Sequence, residues 1–205
     1  DGHKTHMIHT ANDLPLLEQA DLTVFPLPAC GEDGTVTEAG LTASEIFLHL
    51  PHGSAAAGGR IPPSLYGMAQ LRSVDLHDYT KREDFSIANA LATAEGALSI
   101  AMAETDITLQ GAACLVIGNG RIGKLLARKL ALLGAHVTVS ARRADDLTWI
   151  QADGHTAVQT AAIMDVAEQF DIIFNTVPFL VVDKSVLEKV RTSALIIDLA
   201  SKPGG

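Results

Sequence analysis

Six residues, Gly118-Asn-Gly-Arg-Ile-Gly123, carry the spacing G-x-G-x-x-G. That spacing suits holding a pyrophosphate. The first glycine makes a tight turn, the second lets phosphate approach the backbone, and the third lets a helix pack on a strand. The N–H groups and positive dipole end of the helix then face the anion. Context decides whether the motif is more than a glycine-rich turn. Here Ala113-Cys-Leu-Val-Ile117 precedes it directly and reads as a buried parallel strand by its continuous apolar run. Lys124 to Leu133 follows as an amphipathic helix closed by Gly134. Strand, motif and helix in that order favour a dinucleotide held by Gly118, Asn119, Gly120, Arg121, Ile122 and Gly123.

The end of the next strand selects the cofactor. An acid roughly 20 residues beyond the first glycine would hold the ribose 2′-OH of NAD. The stretch that ends this strand is Ser140-Ala-Arg-Arg143, with no acid. Arg142 and Arg143 can pair with a 2′-phosphate and stack on adenine, with Ser140 as donor and Ala141 beside them. The expectation is NADP, with NAD less favoured. Asp145 and Asp146 follow closely and can neutralise the arginines.

Further chemistry lies at the ends of two later strands. Asn175, Thr176, Val177 and Pro178 end one of them, where open α/β sheets bind ligands, and their backbone is expected to line the nicotinamide ribose. Asp198-Leu-Ala-Ser-Lys-Pro-Gly-Gly205 ends the next and offers Ala200 and Ser201 to the cofactor. Lys202 there is either a cation for an anionic substrate or a solvated loop lysine. Thr93 and Glu95 sit on an Ala-rich helix. Glu95 reads as a general base or substrate acceptor, or else as a surface carboxylate. His49 reads as the end of a strand facing an interdomain cleft. His49 and His52 have no third ligand in view, and His3, His6 and His9 lie near the first residue, so no metal site is expected. No G-x-S-x-G, P-loop or H-E-x-x-H motif is present.

These residues need elements to position them. The 205 residues alternate strand-like and helix-like segments, the mark of an α/β fold. Leu22–Leu27, Glu45–Leu50 and Ser73–Leu76 read as strands, Thr5–Thr10 as an edge strand, and Pro51–Gly59 as a loop. Ser86 to Glu104 reads as a long helix bridging two lobes. After it come the motif strand, His136–Ser140, Asp171–Asn175 and Ala194–Asp198, with helices at Leu147–Ala152 and Val186–Val190. This is a doubly wound, Rossmann-type arrangement. The expected division is an α/β substrate lobe over 1–88 and a linker helix with the nucleotide domain over 89–205. The first lobe is expected to lack a βα unit, and both ends read as cut.

Composition narrows the function classes. A net charge of −9 argues against nucleic acid and anionic membrane surfaces as partners. The apolar run Ile172–Val182 is broken by Asn175, Thr176 and Pro178, so it is no membrane span. Cys30 and Cys114 form neither a disulfide framework nor a metal spacing, which suits a reduced, cytoplasmic location.

Four stretches together carry a family resemblance. They are Gly118-Asn-Gly-Arg-Ile-Gly-Lys124, Leu133-Gly-Ala-His-Val-Thr-Val-Ser-Ala-Arg142, Ile172-Ile-Phe-Asn-Thr-Val-Pro178 and Leu195-Ile-Ile-Asp-Leu-Ala-Ser-Lys-Pro-Gly-Gly205. With Thr93-Ala-Glu-Gly96 on the helix, they resemble the A component of dipicolinate synthase from about Asn89 to the last residue. The first lobe matches loosely, through Phe25-Pro-Leu-Pro28. The resemblance implies NADP-dependent oxidation of dihydrodipicolinate in the mother cell of sporulating bacteria, alongside the flavoprotein-like B component of dipicolinate synthase. It implies Lys202, Ser201 and Thr93 as substrate anchors and Glu95 as proton acceptor. A homo-oligomer is compatible with it. Two other readings stay open: another NADP-dependent dehydrogenase, acting on a hydroxy acid or shikimate-like substrate, and a nucleotide-binding regulatory subunit.

Overall fold

The computed structural model describes residues 4–36 and 40–200. The chain divides into two compact units, Asp1–Phe85 and Ser86–Gly205. Both are α/β with parallel sheets, as the alternation of segments implies.

The first unit holds β1 (Leu22–Val24), α1 (Ala43–His49), β2 (Ala55–Gly58), α2 (Pro63–Leu71) and β3 (Asp75–Asp78). Its sheet runs in the order β1-β2-β3. Four sequence expectations fail or shift here. Glu45–Leu50 lies mainly in helix α1, because Thr42 and Glu45 form a capping box. The Glu45 carboxylate accepts the Thr42 amide at 2.8 Å, and the Thr42 hydroxyl accepts the Glu45 amide at 3.3 Å. Ile46, Phe47 and Leu50 are then buried in the unit's core, with Phe47 stacked on Phe25 at 5.5 Å. The expected loop Pro51–Gly59 contains β2, the central strand. Its Ala-Ala-Ala-Gly sequence suits tight quarters: a Cβ on Gly58 would lie 3.1 Å from the Cβ of Ala29. Thr5–Thr10 forms no strand; a 3-10 helix follows at Ala11–Gln19. β3 starts two residues late because Ser73 turns through the left-handed region, at φ 54°.

The second unit positions the glycine motif. Helix α3 (Glu83–Glu104) runs into it from the end of the first unit. Then come β4 (Ala113–Ile117), α4 (Arg121–Leu132), β5 (His136–Ala141), α5 (Ala144–Ala152), β6 (Thr156–Gln159), β7 (Ile172–Asn175), α6 (Lys184–Leu187) and β8 (Leu195–Asp198). The sheet order is β6-β5-β4-β7-β8, so the domain's first strand is central and the chain winds outward in both directions. No sequence signal announces β6, which is short and not strongly apolar.

The β4 side chains alternate between two cores. Cys114 and Val116 join α3 and α4 residues such as Ala94, Ala97 and Leu130 on one face. Leu115 and Ile117 join Ile163, Phe170 and Ile173 on the other. Burial on both faces explains the unbroken apolar run. At 22 residues and mean hydropathy 1.2, α3 is long and apolar enough to cross a membrane. Its Ala94, Ala97, Leu98 and Ala101 stripe is instead buried in the core of this unit.

Burial in β4 pushes the Cys114 thiol up to about 12, with the charge of Asp171 adding to the shift. The thiolate is the reactive form. Cys114 is therefore expected to resist a thiol reagent at mildly alkaline pH in the native protein and to react on unfolding. Peptide mapping of the labelled protein checks this, and rapid native labelling of Cys114 would contradict its place in the sheet.

Candidate dinucleotide site

The carboxyl end of β4 is shaped by two glycines. Gly118 adopts φ 101°, and a Cβ there would lie 2.8 Å from Thr176 Oγ1 and 2.9 Å from Val177 Cγ2. Only glycine meets both conditions. Its N–H donates to the Ser140 carbonyl at 3.0 Å, tying the turn to β5. A Cβ on Gly123 would come within 2.0 Å of the Gly118 carbonyl oxygen, so α4 rests directly on the turn. Gly120 differs: no atom lies within 4 Å of an added Cβ. That open space sits at the N-cap of α4, where no side chain caps the helix and no acid occupies its first turn. A crowded turn, an open middle and an uncapped helix start fit a dinucleotide pyrophosphate. The fit rests on backbone, so Asn119, Arg121 and Ile122 contribute through their place in the turn and first helical turn.

The ends of β7 and β8 are fastened together. Asn175 and Asp198 are partners in register, and Asn175 is fully buried. The Asn175 amide donates to Asp198 Oδ1 and to the Val177 carbonyl, both at 3.1 Å, and its oxygen accepts the Val177 N–H. Asp198 Oδ1 also accepts the Ala200 N–H at 3.0 Å. Thr176 reaches the other way, donating its N–H and hydroxyl to the Ile117 carbonyl at 3.0 and 2.8 Å. Thus Asn175, Thr176 and Val177 are brought beside the glycine turn, and Asn175 acts as a brace. Pro178 lies beyond them, exposed. Asp198 is a positioning group that the linear motif does not reveal. Its signal is a polar residue ending an apolar strand, matched by Asn175 on its neighbour.

At the end of β5 the two arginines part company. Arg143 pairs with Asp145 through two donors and lies 3.9 Å from Asp146. Hydrogen bonding to Asp145, then the charges of Asp145 and Asp146, hold its guanidinium above the usual range. It is therefore already neutralised. Among the described residues Arg142 has no carboxylate partner; its guanidinium lies 5.8 Å from the centroid of the Phe179 ring. Ala141, the residue before it, is buried. Ser140 corrects the sequence reading. It is fully enclosed and its Oγ has no hydrogen-bond partner among the described residues, so it presents no hydroxyl to a ribose phosphate.

The remaining candidates are scattered. Glu95 is 60% exposed and accepts from Lys129 of α4 at 2.8 Å. Thr93 donates to the Asn89 carbonyl of its own helix at 3.0 Å. His49 lies in the last turn of α1, not on a strand, and pairs with Glu18 at 3.2 Å in the first unit. Ala200 is placed by Asp198. Ser201 and Lys202 lie outside the described residues, as does His3. Among the described residues no group of three His, Cys, Asp or Glu side chains forms a metal site.

Comparison with known proteins agrees with this geometry. Residues 79–201 match the NAD-binding domain of the D-isomer-specific 2-hydroxyacid dehydrogenases. The chain belongs to that family. The chain is also 31% identical over 194 residues to the A component of dipicolinate synthase from Bacillus subtilis, covering 92% of this chain. The chain spans 65% of that relative's length. A crystal structure of the same component from Bacillus halodurans superposes with a TM-score of 0.81 at 32% identity, covering 92% of this chain and 67% of that one. The Bacillus subtilis structure gives 0.80 at 30% identity, with 92% and 65% covered. The resemblance read from the four stretches is borne out, as is the α/β nucleotide-binding fold. A dehydrogenase domain for a nicotinamide dinucleotide is thereby shown.

A Gly123→Ala substitution places a methyl group against the Gly118 carbonyl. It is expected to cost about 1–3 kcal/mol of stability and to abolish dinucleotide binding. Chemical denaturation and nucleotide titration of the same preparation check both. Unchanged binding would mean that the close approach of α4 does not shape the site.

Proposed function

We propose that the chain is an NADP-dependent dehydrogenase subunit that oxidises dihydrodipicolinate to dipicolinate. The observation that carries the cofactor choice is Arg142. It stands at the end of β5 without a carboxylate partner among the described residues, while Ala141 occupies the strand end where an acid would favour NAD. A guanidinium takes a 2′-phosphate through paired N–H donors, and the face of Phe179 steadies its position. Backbone N–H groups at the start of α4 hold the pyrophosphate. The substrate and the partner rest on likeness to the dipicolinate synthase proteins.

The oxidation removes one hydride and one proton from the ring and leaves an aromatic pyridine. A bound nicotinamide supplies the hydride acceptor. The protein's part is to fix the two reactants and receive the proton. The brace of Asn175 and Asp198 holds the β7 and β8 ends rigid beside the glycine turn. Glu95 on α3, paired through one oxygen with Lys129 in the last turn of α4, is the proposed proton acceptor on the family likeness alone. Thr93, Ser201 and Lys202 remain substrate anchors in this proposal, with the flavoprotein-like B component of dipicolinate synthase as partner. Its setting is the mother-cell cytoplasm of a spore-forming bacterium.

Arg142→Ala is expected to weaken NADP+ binding by roughly 10- to 100-fold, the worth of a bidentate charge-assisted contact. NAD+ binding should change little. Calorimetric titration of both nucleotides checks this, followed by dihydrodipicolinate addition, with and without the B component, while reduced nicotinamide is monitored. Equal losses for both nucleotides would remove the NADP assignment. Tight binding without turnover in either mixture would remove the substrate.

A further inference from the structure

The first unit contains a cleft of about 440 Å³ lined in part by Tyr66, Leu76, His77, Tyr79 and Lys81. It opens at the carboxyl ends of β2 and β3, the edge where parallel α/β sheets receive ligands. None of these residues takes part in the nucleotide site.

The charged groups around the cleft are mostly committed. Asp78 accepts the Thr80 N–H at 2.9 Å, the Thr80 hydroxyl, and the Ile61 N–H at 3.2 Å. Burial pushes its carboxyl up, but those hydrogen bonds outweigh burial and hold it below the ordinary value. His77 pairs with Asp75 at 2.8 Å. Arg82, also on the lining, grips Asp84 through Nε and Nη2 at 3.1 and 2.6 Å.

Lys81 is different. Its Nζ donates to the Tyr66 hydroxyl at 3.0 Å and lies 4.9 Å from the centroid of the Tyr66 ring. Among the described residues no carboxylate lies within ion-pair distance of it. An ammonium has three donors, so two remain after Tyr66 is served, and the phenol keeps its own proton to give. Around this polar pair the lining includes apolar and aromatic groups. Leu76 and Ala57 supply one part. Tyr79 supplies another and has little freedom: a Cβ on Gly59 would touch its ring at 2.8 Å, and the ring packs on Phe85 at 4.8 Å.

The Lys81 ammonium is exposed and within electrostatic reach of Asp78 on the same lining, yet no ion pair engages it; with one phenol and an aromatic wall it matches a planar ring bearing a carboxylate. We propose that this cleft is a carboxylate subsite, in which Lys81 and Tyr66 receive one carboxylate of a cyclic acid whose ring lies against Tyr79 and Leu76. The choice of a ring dicarboxylate as its natural occupant rests on the substrate reading above; the carboxylate subsite itself does not.

The test uses the full chain, isotope-labelled for amide NMR, with dipicolinate and benzoate as separate probes. Dipicolinate should shift the amides of residues 76–82. Lys81→Gln should weaken that binding roughly three- to fivefold, Lys81→Arg should recover most of it, and Tyr66→Phe should cost about twofold. NADP+ affinity, measured on each variant, should stay within about twofold of the parent. Dipicolinate binding that leaves these amides unmoved, or that Lys81→Gln does not weaken, overturns the subsite and leaves the dehydrogenase reading standing. Benzoate binding with the same Lys81 dependence, without dipicolinate binding, upholds the subsite and overturns the substrate. If Lys81→Gln does not fold, Lys81→Arg and Tyr66→Phe decide the question alone. Binding of neither probe overturns the proposal.

Discussion

Two donors from Thr176 converge on one acceptor, the carbonyl of Ile117. That carbonyl belongs to the last residue of β4, and the next residue begins the glycine turn. The contact therefore sets how closely the end of β7 approaches the turn. It brings Thr176 and Val177 so near that no side chain fits at Gly118. Gly118 then presents its carbonyl to the start of α4, and Gly123 must be bare to accept it. The Asn175–Asp198 brace extends the same edge to β8. Three strand ends and one helix start are thus fixed by a short chain of contacts. Each link leaves little room for substitution.

The nucleotide domain was legible because its central strands are buried on both faces. Such strands appear as apolar runs, and β4 and β7 stand out that way, with the half-buried β8 beside them. The first unit was harder. β2 is built from three alanines and a glycine, and at Gly58 its neighbours leave no space for a larger group. The very constraint that makes it central erases the β-branched signal of a strand. Around α1, the Ile46 and Leu48 alternation suggests a strand, while the Thr42 and Glu45 cap starts a helix. The cap and the burial of Ile46, Phe47 and Leu50 prevail.

The site was legible where it depends on adjacent residues and opaque where it depends on register. The glycine spacing can be read along the chain. The pairing of Arg143 with Asp145, two residues on, is also local. The brace between Asn175 and Asp198 spans 23 residues and exists only once β7 and β8 align. Ser140 shows the opposite error. Its position beside the arginines suggests a ligand contact, but strand alternation turns it into the sheet, where it is fully enclosed.

The winding order of the second sheet also governs when the site can come into being. β4 pairs with β5 early in the domain, yet its other neighbour, β7, arrives only after α5 and β6 have been laid down. The Ala113 N–H waits 58 residues for the Asp171 carboxylate. During synthesis the glycine turn would thus emerge with one flank missing, and loop closure of that length must precede the contacts that make it worthwhile. Until then the central strand has an edge of unpaired backbone N–H and C=O groups. The turn gains its second flank, and that edge its cover, only once β7 has been made.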